Sequence, residues 1–170
     1  MERDELRAIQ APLKERYRDE PEAAVVTLSA SGALGEGVSC SVQTGRALAA
    51  AGLHPASGGD GSLLCSGDML LEALVACAGV TLRAVATSMG IELRSGTVTA
   101  EGDLDFRGTL GVDRKAPVGF TAIRLRFELD SDATDDELDT LLETTERYCV
   151  VYQTLAGGVP LEVSRVRAGT

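Results

Sequence analysis

The longest apolar stretch of the chain is "SGDMLLEALVACAGVTLRAVATSMG", residues 66–90, and its hydrophobic residues would cover every side of a helix. Ser66 is a candidate N-cap, Asp68 in the first turn suits the helix dipole, and Gly90 is a good left-handed terminator. The pattern predicts one helix of about two dozen residues, roughly 35 Å long. A helix that is apolar all round is expected to lie buried in a core or between subunits.

Strand-like patterns lie on both sides of this helix. In "FTAIRLRFELD", residues 120–130, hydrophobic and charged residues alternate, which predicts a strand with one buried and one charged face. Residues 96–106 predict a second strand, joined to the first by a turn-rich connection. Upstream, residues 23–43 predict a hairpin whose connection is the Gly-rich "SGALGEG",. Residues 157–166 predict a last turn and strand.

Two further helices complete the pattern. Residues 2–19 place Leu6, Ile9, Leu13 and Tyr17 at helical intervals among charges, so we expect an amphipathic N-terminal arm spanning about residues 1–20,. A second helix opens at "TDDE", where a Thr and a Glu have capping-box spacing. If that helix continued, Cys149 would share its inward face. The resulting order, α-ββ-α-ββ-α-β, predicts an α+β fold.

Length and charge limit the possible functions. A chain of 170 residues is expected to form a single domain, residues 1–170,. Its 26 acidic and 16 basic residues, a net charge of −10, argue against nucleic acid or an anionic membrane surface as a partner,. Glu72 and Arg83 leave only ten uncharged residues between them, short of the roughly 20 that a membrane span needs,. With no secretory pattern at the N-terminus, a cytoplasmic protein is expected.

The candidate chemistry lies in the cysteines. The four cysteines form no CxxC pair, and the single histidine, His54, has no cluster of ligands around it. We therefore expect no disulfide framework, no structural zinc and no other metal or organic cofactor. From the residue pattern alone, Cys77 and Cys149 each have two interpretations, a small core residue or a reactive thiol.

Two segments resemble one protein family. Residues 66–92, with their Leu-Leu, Ala-Leu and Ala-Cys order, resemble the central helix of the OsmC/Ohr proteins (osmotically inducible protein C and organic hydroperoxide resistance). "ERYCVVYQTLAGGVPLEV" resembles the second cysteine segment of that family. The resemblance runs from about residue 23 to 166. It implies an OsmC-like fold, in which a long buried central helix packs with antiparallel sheets in an intertwined homodimer.

The resemblance also implies an activity and its residues. In the family's peroxidases, the cysteine that matches Cys77 attacks an organic hydroperoxide and becomes a sulfenic acid, and the cysteine that matches Cys149 resolves it as a disulfide. A dithiol or thiol protein then reduces that disulfide. The family supports this chemistry with an arginine from the first hairpin and a glutamate early in the central helix. Here "SGALGEG" holds no arginine, and Gly67 stands at the glutamate position, so Arg46 and Asp68 are the candidate substitutes.

Each candidate also has a structural interpretation. Arg46 is also consistent with a surface charge at a strand end, which is the commoner role of such a residue, and Asp68 with a partner of the helix dipole. Cys65 is either an alternative resolving thiol or a buried cysteine. The alternative function is an OsmC-like protein without peroxidase activity that binds a small hydrophobic ligand or acts as a thiol redox sensor.

Overall fold

The computed structural model describes residues 2–5, 8, 10–11, 19, 32–34, 39–44 and 47–167, without the side chains of 32–34, 39–44 and 47–48. Most of the predicted helix at 2–19 and the predicted strand at 23–30 lie outside the described residues. Within 2–19, the described residues 3–5, 8, 10–11 and 19 are helical.

A four-stranded sheet precedes the long helix. Its strands are β1 (Gly32–Leu34), β2 (Ser39–Thr44), β3 (Ala47–Gly52) and β4 (Leu64–Cys65), in the order β1-β2-β3-β4. The first three strands are antiparallel, with Thr44 opposite Ala47, while β4 runs parallel to β3.

This sheet corrects the predicted hairpin. Within the predicted connection, residues 31–37, residues 32–34 form strand β1, and β2 pairs antiparallel with β3. The "ALAAAG" sequence of β3 has no alternation of polar and apolar residues, so periodicity could not reveal it. Backbone pairing with β2 holds this weak strand former in the sheet.

The predicted central helix is confirmed as α1 (Ser66–Met89), which has 24 residues. Cys65 rather than Ser66 is the N-cap, and its side chain makes no capping hydrogen bond. Gly90 ends the helix in the left-handed conformation, at φ 76°, as expected,. One stripe of α1 is buried, formed by Leu74, Ala78, Leu82 and Ala86.

A second sheet packs against this stripe. Strands β5 (Ser95–Leu104) and β6 (Phe120–Asp130) pair antiparallel, with a short helix, α2 (Phe106–Thr109), in their connection. The predicted alternation of β6 is confirmed, because its hydrophobic residues face the interior and its charged residues face outward. Gly102 of β5 leaves room for the ring of Phe120, which a Cβ at that position would overlap.

Two helices follow the sheet, α3 (Asp135–Tyr148) and α4 (Val150–Gly157). The capping box of Thr134 and Glu137 is present as predicted. Leu141 of α3 is fully buried in the core cluster with Leu82 of α1. The helix does not continue to Cys149, which has extended backbone, at φ −75° and ψ 108°, and separates α3 from α4. Helix α4 was not predicted, because no separate element was assigned to the residues between Cys149 and the closing turn.

The predicted closing strand is wrong for this chain. Residues 158–167 form no helix or strand. Leu161 and Val163 are 87% and 97% exposed, because no described strand of the chain pairs with this segment.

Candidate thiol site

The fold brings Cys77 and Cys149 together, although 71 residues separate them in sequence. Cys77 lies in the middle of α1 and is half-buried, whereas Cys149 is 1% exposed at the junction of α3 and α4. Both helices pack against α1. The Cys149 thiol is a hydrogen-bond neighbour of the Cys77 sulfur, and both thiols are free.

The surroundings of Cys77 favour its thiolate. Burial by itself would raise the pKa of Cys77,. The amide of Val151, the thiol of Cys149, the amide of Val150 and the hydroxyl of Thr81 act in the opposite direction as hydrogen-bond donors, and the net pKa of Cys77 is lowered. These four donors are uncharged.

Cys149 has the opposite tendency. Burial raises the pKa of its thiol, and the neighbouring Cys77 sulfur raises it further. The nearby amides of Tyr152 and Val151 offset part of this increase in pKa. The Cys149 side chain makes no capping hydrogen bond at the start of α4. The pair therefore holds one sulfur that ionises readily and one that stays protonated as a donor.

The break between α3 and α4 supplies two of these donors. The first amides of a helix have no partner within the helix and carry the positive end of its dipole. Because α4 begins at Val150, the amides of Val150 and Val151 are free to face Cys77. Across the break, the side chain of Gln153 donates to the Glu146 carbonyl at 2.9 Å, and the Tyr152 hydroxyl bonds to the Glu146 carboxylate. The pKa of Tyr152 is raised, mainly by its bond to the Glu146 carboxylate and to a smaller extent by burial.

Two other candidate residues, Asp68 and Cys65, are not brought to Cys77 within one chain. Arg46 lies outside the described residues. Asp68 is exposed on the first turn of α1, nine positions before Cys77, which places it about 13 Å away along the axis and on the opposite side,. Cys65 is twelve positions before Cys77, about 18 Å along the same axis, so it is not placed to resolve Cys77 within one chain,.

Asp68 and Cys65 instead border a separate cavity of about 360 Å³, together with His54. The imidazole of His54 stacks on Phe106 with 5.1 Å between ring centroids, and its Nδ1 accepts the Ala56 amide. Within the part of the chain that the structure describes, no group of three or more His, Cys, Asp or Glu side chains could hold a metal ion.

A larger cavity of about 750 Å³ lies beside the thiol pair, between β6 and helices α3 and α4. Its wall is mainly hydrophobic and includes Leu74, Phe127 and Leu155, while Glu146 and Tyr152 provide polar groups. Leu74 is three positions before Cys77 on α1, and Tyr152 is three positions after Cys149. The cavity therefore borders both cysteine segments without including either sulfur in its wall.

Sequence reasoning missed the uncharged donors. Backbone amides leave no trace in a pattern of side chains, and the position of α4 depended on a helix break at Cys149. Thr81 did offer a signal, because a residue four positions after Cys77 lies on the same face of a helix.

The geometry defines an α+β protein with a thiol pair between a central helix and a helix N-terminus. The family model described as OsmC-like protein matches residues 59–164, more than half of the chain, and the chain belongs to this family. No curated protein matches the sequence.

Solved structures share the fold. An OsmC-like protein from Mycoplasma pneumoniae superposes with a TM-score of 0.65 at 20% identity, over 78% of this chain and 89% of the other. An organic hydroperoxide resistance protein from Elizabethkingia anophelis superposes with a TM-score of 0.64 at 17% identity, over 79% of this chain and 91% of the other. An organic hydroperoxide resistance protein OsmC from Legionella pneumophila superposes with a TM-score of 0.62 at 19% identity, over 79% of this chain and 92% of the other.

Among the described helices, α1 alone is long and apolar enough to cross a membrane by length and composition. The core helix of a soluble protein meets the same criterion, so this is weak evidence for a span.

Proposed function

We propose that the protein reduces organic hydroperoxides by a two-cysteine mechanism, with Cys77 as the peroxidatic and Cys149 as the resolving residue. The observation that carries the proposal is the thiol pair itself, in which Cys77 has a lowered pKa and Cys149 a raised one. A thiolate is the nucleophile in this chemistry, and a protonated thiol beside it is ready to condense with a sulfenic acid. Two solved structures with this fold are named organic hydroperoxide resistance proteins.

The reaction balances with an external reductant. The Cys77 thiolate attacks the distal oxygen of the hydroperoxide, the O–O bond breaks, and the alkoxide leaves and takes a proton from water to become an alcohol. The sulfenic acid of Cys77 then condenses with the Cys149 thiol, which forms a disulfide and releases water. A dithiol or thiol protein reduces that disulfide by exchange, so no metal or organic cofactor is required.

Exposed apolar surface supports a homodimer. Val80 of α1 is 73% exposed, and Val163 near the C-terminus is almost fully exposed, so neither side chain is covered within one chain. A second copy of the chain would cover these surfaces, as the predicted intertwined dimer requires. We further propose that this dimer acts in the cytoplasm, where reducing thiols are available.

The second candidate function is binding of a small hydrophobic ligand, with the thiols as a redox sensor. The cavity of about 750 Å³ favours it, because its volume and mainly hydrophobic wall suit a small apolar molecule,. Under this alternative, oxidation of the thiols would be slow or would not turn over.

One experiment separates the two candidates. The reduced protein is mixed with stoichiometric cumene hydroperoxide, and peroxide consumption and thiol loss are followed. We expect consumption far faster than with free cysteine and a Cys77–Cys149 disulfide in the peptide map. Cys77→Ser should abolish the reaction, and Cys149→Ser should allow one turnover that stops at the sulfenic acid.

Cys65→Ser is the matched control, because Cys65 is the N-cap residue of α1 and lies at a distance from the pair. We expect this variant to react as the wild type does. Consumption no faster than with free cysteine, or equal loss of activity in the Cys65 variant, would contradict the peroxidase mechanism. The first of these results would leave ligand binding as the function.

A further inference from the structure

We propose that Thr81 is a catalytic residue of the thiol site, whose hydroxyl donates to the Cys77 sulfur and holds it as a thiolate. This inference rests on the proposed function for its catalytic part, since it assigns a role in the same reaction. Among the described residues, no charged side chain acts as a hydrogen-bond donor that lowers the pKa of Cys77.

Thr81 differs from the other threonines in the long helices. The usual bond of a helical threonine is from its hydroxyl to the carbonyl four residues earlier. The described helices α1, α3 and α4 hold six threonines, and Thr81 alone among them does not make this bond.

 The other five threonines all donate to the carbonyl four residues earlier. They are Thr87, Thr140, Thr144, Thr145 and Thr154. The Thr81 hydroxyl is instead a hydrogen-bond neighbour of the Cys77 sulfur.

Helix geometry explains how Thr81 reaches the sulfur. Residues four apart on a helix lie on the same face, so the side chains of Cys77 and Thr81 are neighbours on α1. The sulfur thus lies between Thr81 on its own helix and the amides of Val150 and Val151 on the other side. A thiolate that forms here accepts hydrogen bonds from both directions.

Cys149 is the titratable group that faces Cys77, and several charged or titratable groups on the surrounding elements have other partners. On α1, Arg83 donates to the Leu93 carbonyl at 2.9 Å. On α3 and α4, Glu146 and Tyr152 bond to each other, and Arg147 lies over the ring of Tyr148. On β5, Glu101 and Asp103 pair with Arg124 on the exposed face of the sheet.

The test is the pH profile of alkylation at Cys77, measured with iodoacetamide and peptide mass mapping. Removing a hydrogen bond to a charged group destabilises that charge, so Thr81→Val should move the profile upward by about one pH unit. Thr81→Ser keeps the hydroxyl and should restore the wild-type profile. Thr87→Val is the matched control, because Thr87 lies on the same helix and donates to the Arg83 carbonyl at 2.8 Å.

The outcomes separate this assignment from the proposed function. An unchanged profile in Thr81→Val, or an equal shift in Thr87→Val, would overturn the role of Thr81. Alkylation does not require peroxide, so an upward shift in a protein that fails to consume cumene hydroperoxide would reject the peroxidase reaction while keeping the Thr81–thiolate bond. If both assignments hold, peroxide consumption at neutral pH should fall up to about tenfold in Thr81→Val, in step with the lost thiolate.

Discussion

At the scale of single residues, the thiol site depends on an asymmetry between two sulfurs. Cys77 has donors on two sides and a lowered pKa, whereas burial leaves Cys149 with a raised pKa. Among the described residues, the groups that lower the pKa of Cys77 are all uncharged hydrogen-bond donors, namely backbone amides, a thiol and a hydroxyl.

The asymmetry predicts a pH dependence of thiol reactivity. Since the pKa of Cys77 is lowered, its alkylation rate should stay high below the ordinary cysteine range and fall only as the pH drops through the lowered value,. Cys149 should react only at higher pH, because its pKa is raised and its side chain is buried. Mass mapping after brief alkylation across a pH series measures both rates.

Free cysteine in the same series supplies the reference profile. A Cys77 profile that coincides with free cysteine, or faster alkylation of Cys149 than of Cys77, would contradict the asymmetry. The reversed order would also exchange the two roles in the proposed reaction.

At the scale of elements, the start of α3 determines where Cys149 lies. The Thr134 hydroxyl accepts the Glu137 amide at 3.3 Å, and the Glu137 carboxylate accepts the Thr134 amide at 2.9 Å. These two bonds satisfy donors that would otherwise lack partners at the helix start. They fix the first turn of a helix whose last turn ends beside the thiol pair.

Removing this cap should destabilise the fold. We expect Thr134→Ala to lower the free energy of unfolding by about 1 kcal/mol, which corresponds to about 2–4 °C in Tm for a domain of this size. Thermal and urea unfolding monitored by circular dichroism measure the change.

Thr140→Ala is the control, because Thr140 is an exposed threonine of the same helix that bonds only to the carbonyl of Asp136 at 2.8 Å. It should leave stability unchanged or raise it slightly, since alanine has the higher helix propensity. Equal destabilisation by both variants would show that the capping box contributes nothing of its own.

At the scale of the whole molecule, the chain leaves hydrophobic surface uncovered. One stripe of α1 is buried, yet Val80 on the same helix is 73% exposed, and the segment 158–167 has no partner among the described strands. The sequence of α1 is apolar on all sides, and burial within one chain covers only part of that surface. A second copy of the chain is the partner that we propose for the rest.

Charge on this surface should disrupt the dimer. We expect the wild type to sediment at twice the chain mass of 17.7 kDa and Val80→Asp to shift toward the monomer, because burial of an unpaired carboxylate is costly,. Sedimentation velocity over a range of concentrations measures this equilibrium.

Ser88→Asp is the control, because Ser88 is an exposed polar position of the same helix. It should remain dimeric. A wild-type protein that is monomeric at all concentrations would reject the dimer, and dissociation of both variants would show that Val80 has no particular role.

Much of the fold could be predicted where the local pattern was strong. Strict alternation identified β6, the long apolar run ending at Gly90 identified α1, and capping-box spacing identified the start of α3. Strand β3 was missed because alanine and glycine give no alternation, and α4 because its short apolar run gives no clear amphipathic period. The closing strand was predicted from a pattern that needs a partner strand, and no described strand of this chain provides one.

The sequence by itself determined the elements with clear periodicity and the identity of the two cysteines, because side-chain pattern and residue type are local properties. Only the tertiary structure decided that Cys77 and Cys149 meet, and that the amides of Val150 and Val151 face the first of them. Those contacts depend on how α3 ends and how α4 packs against α1, and long-range packing leaves no periodic signal in the chain.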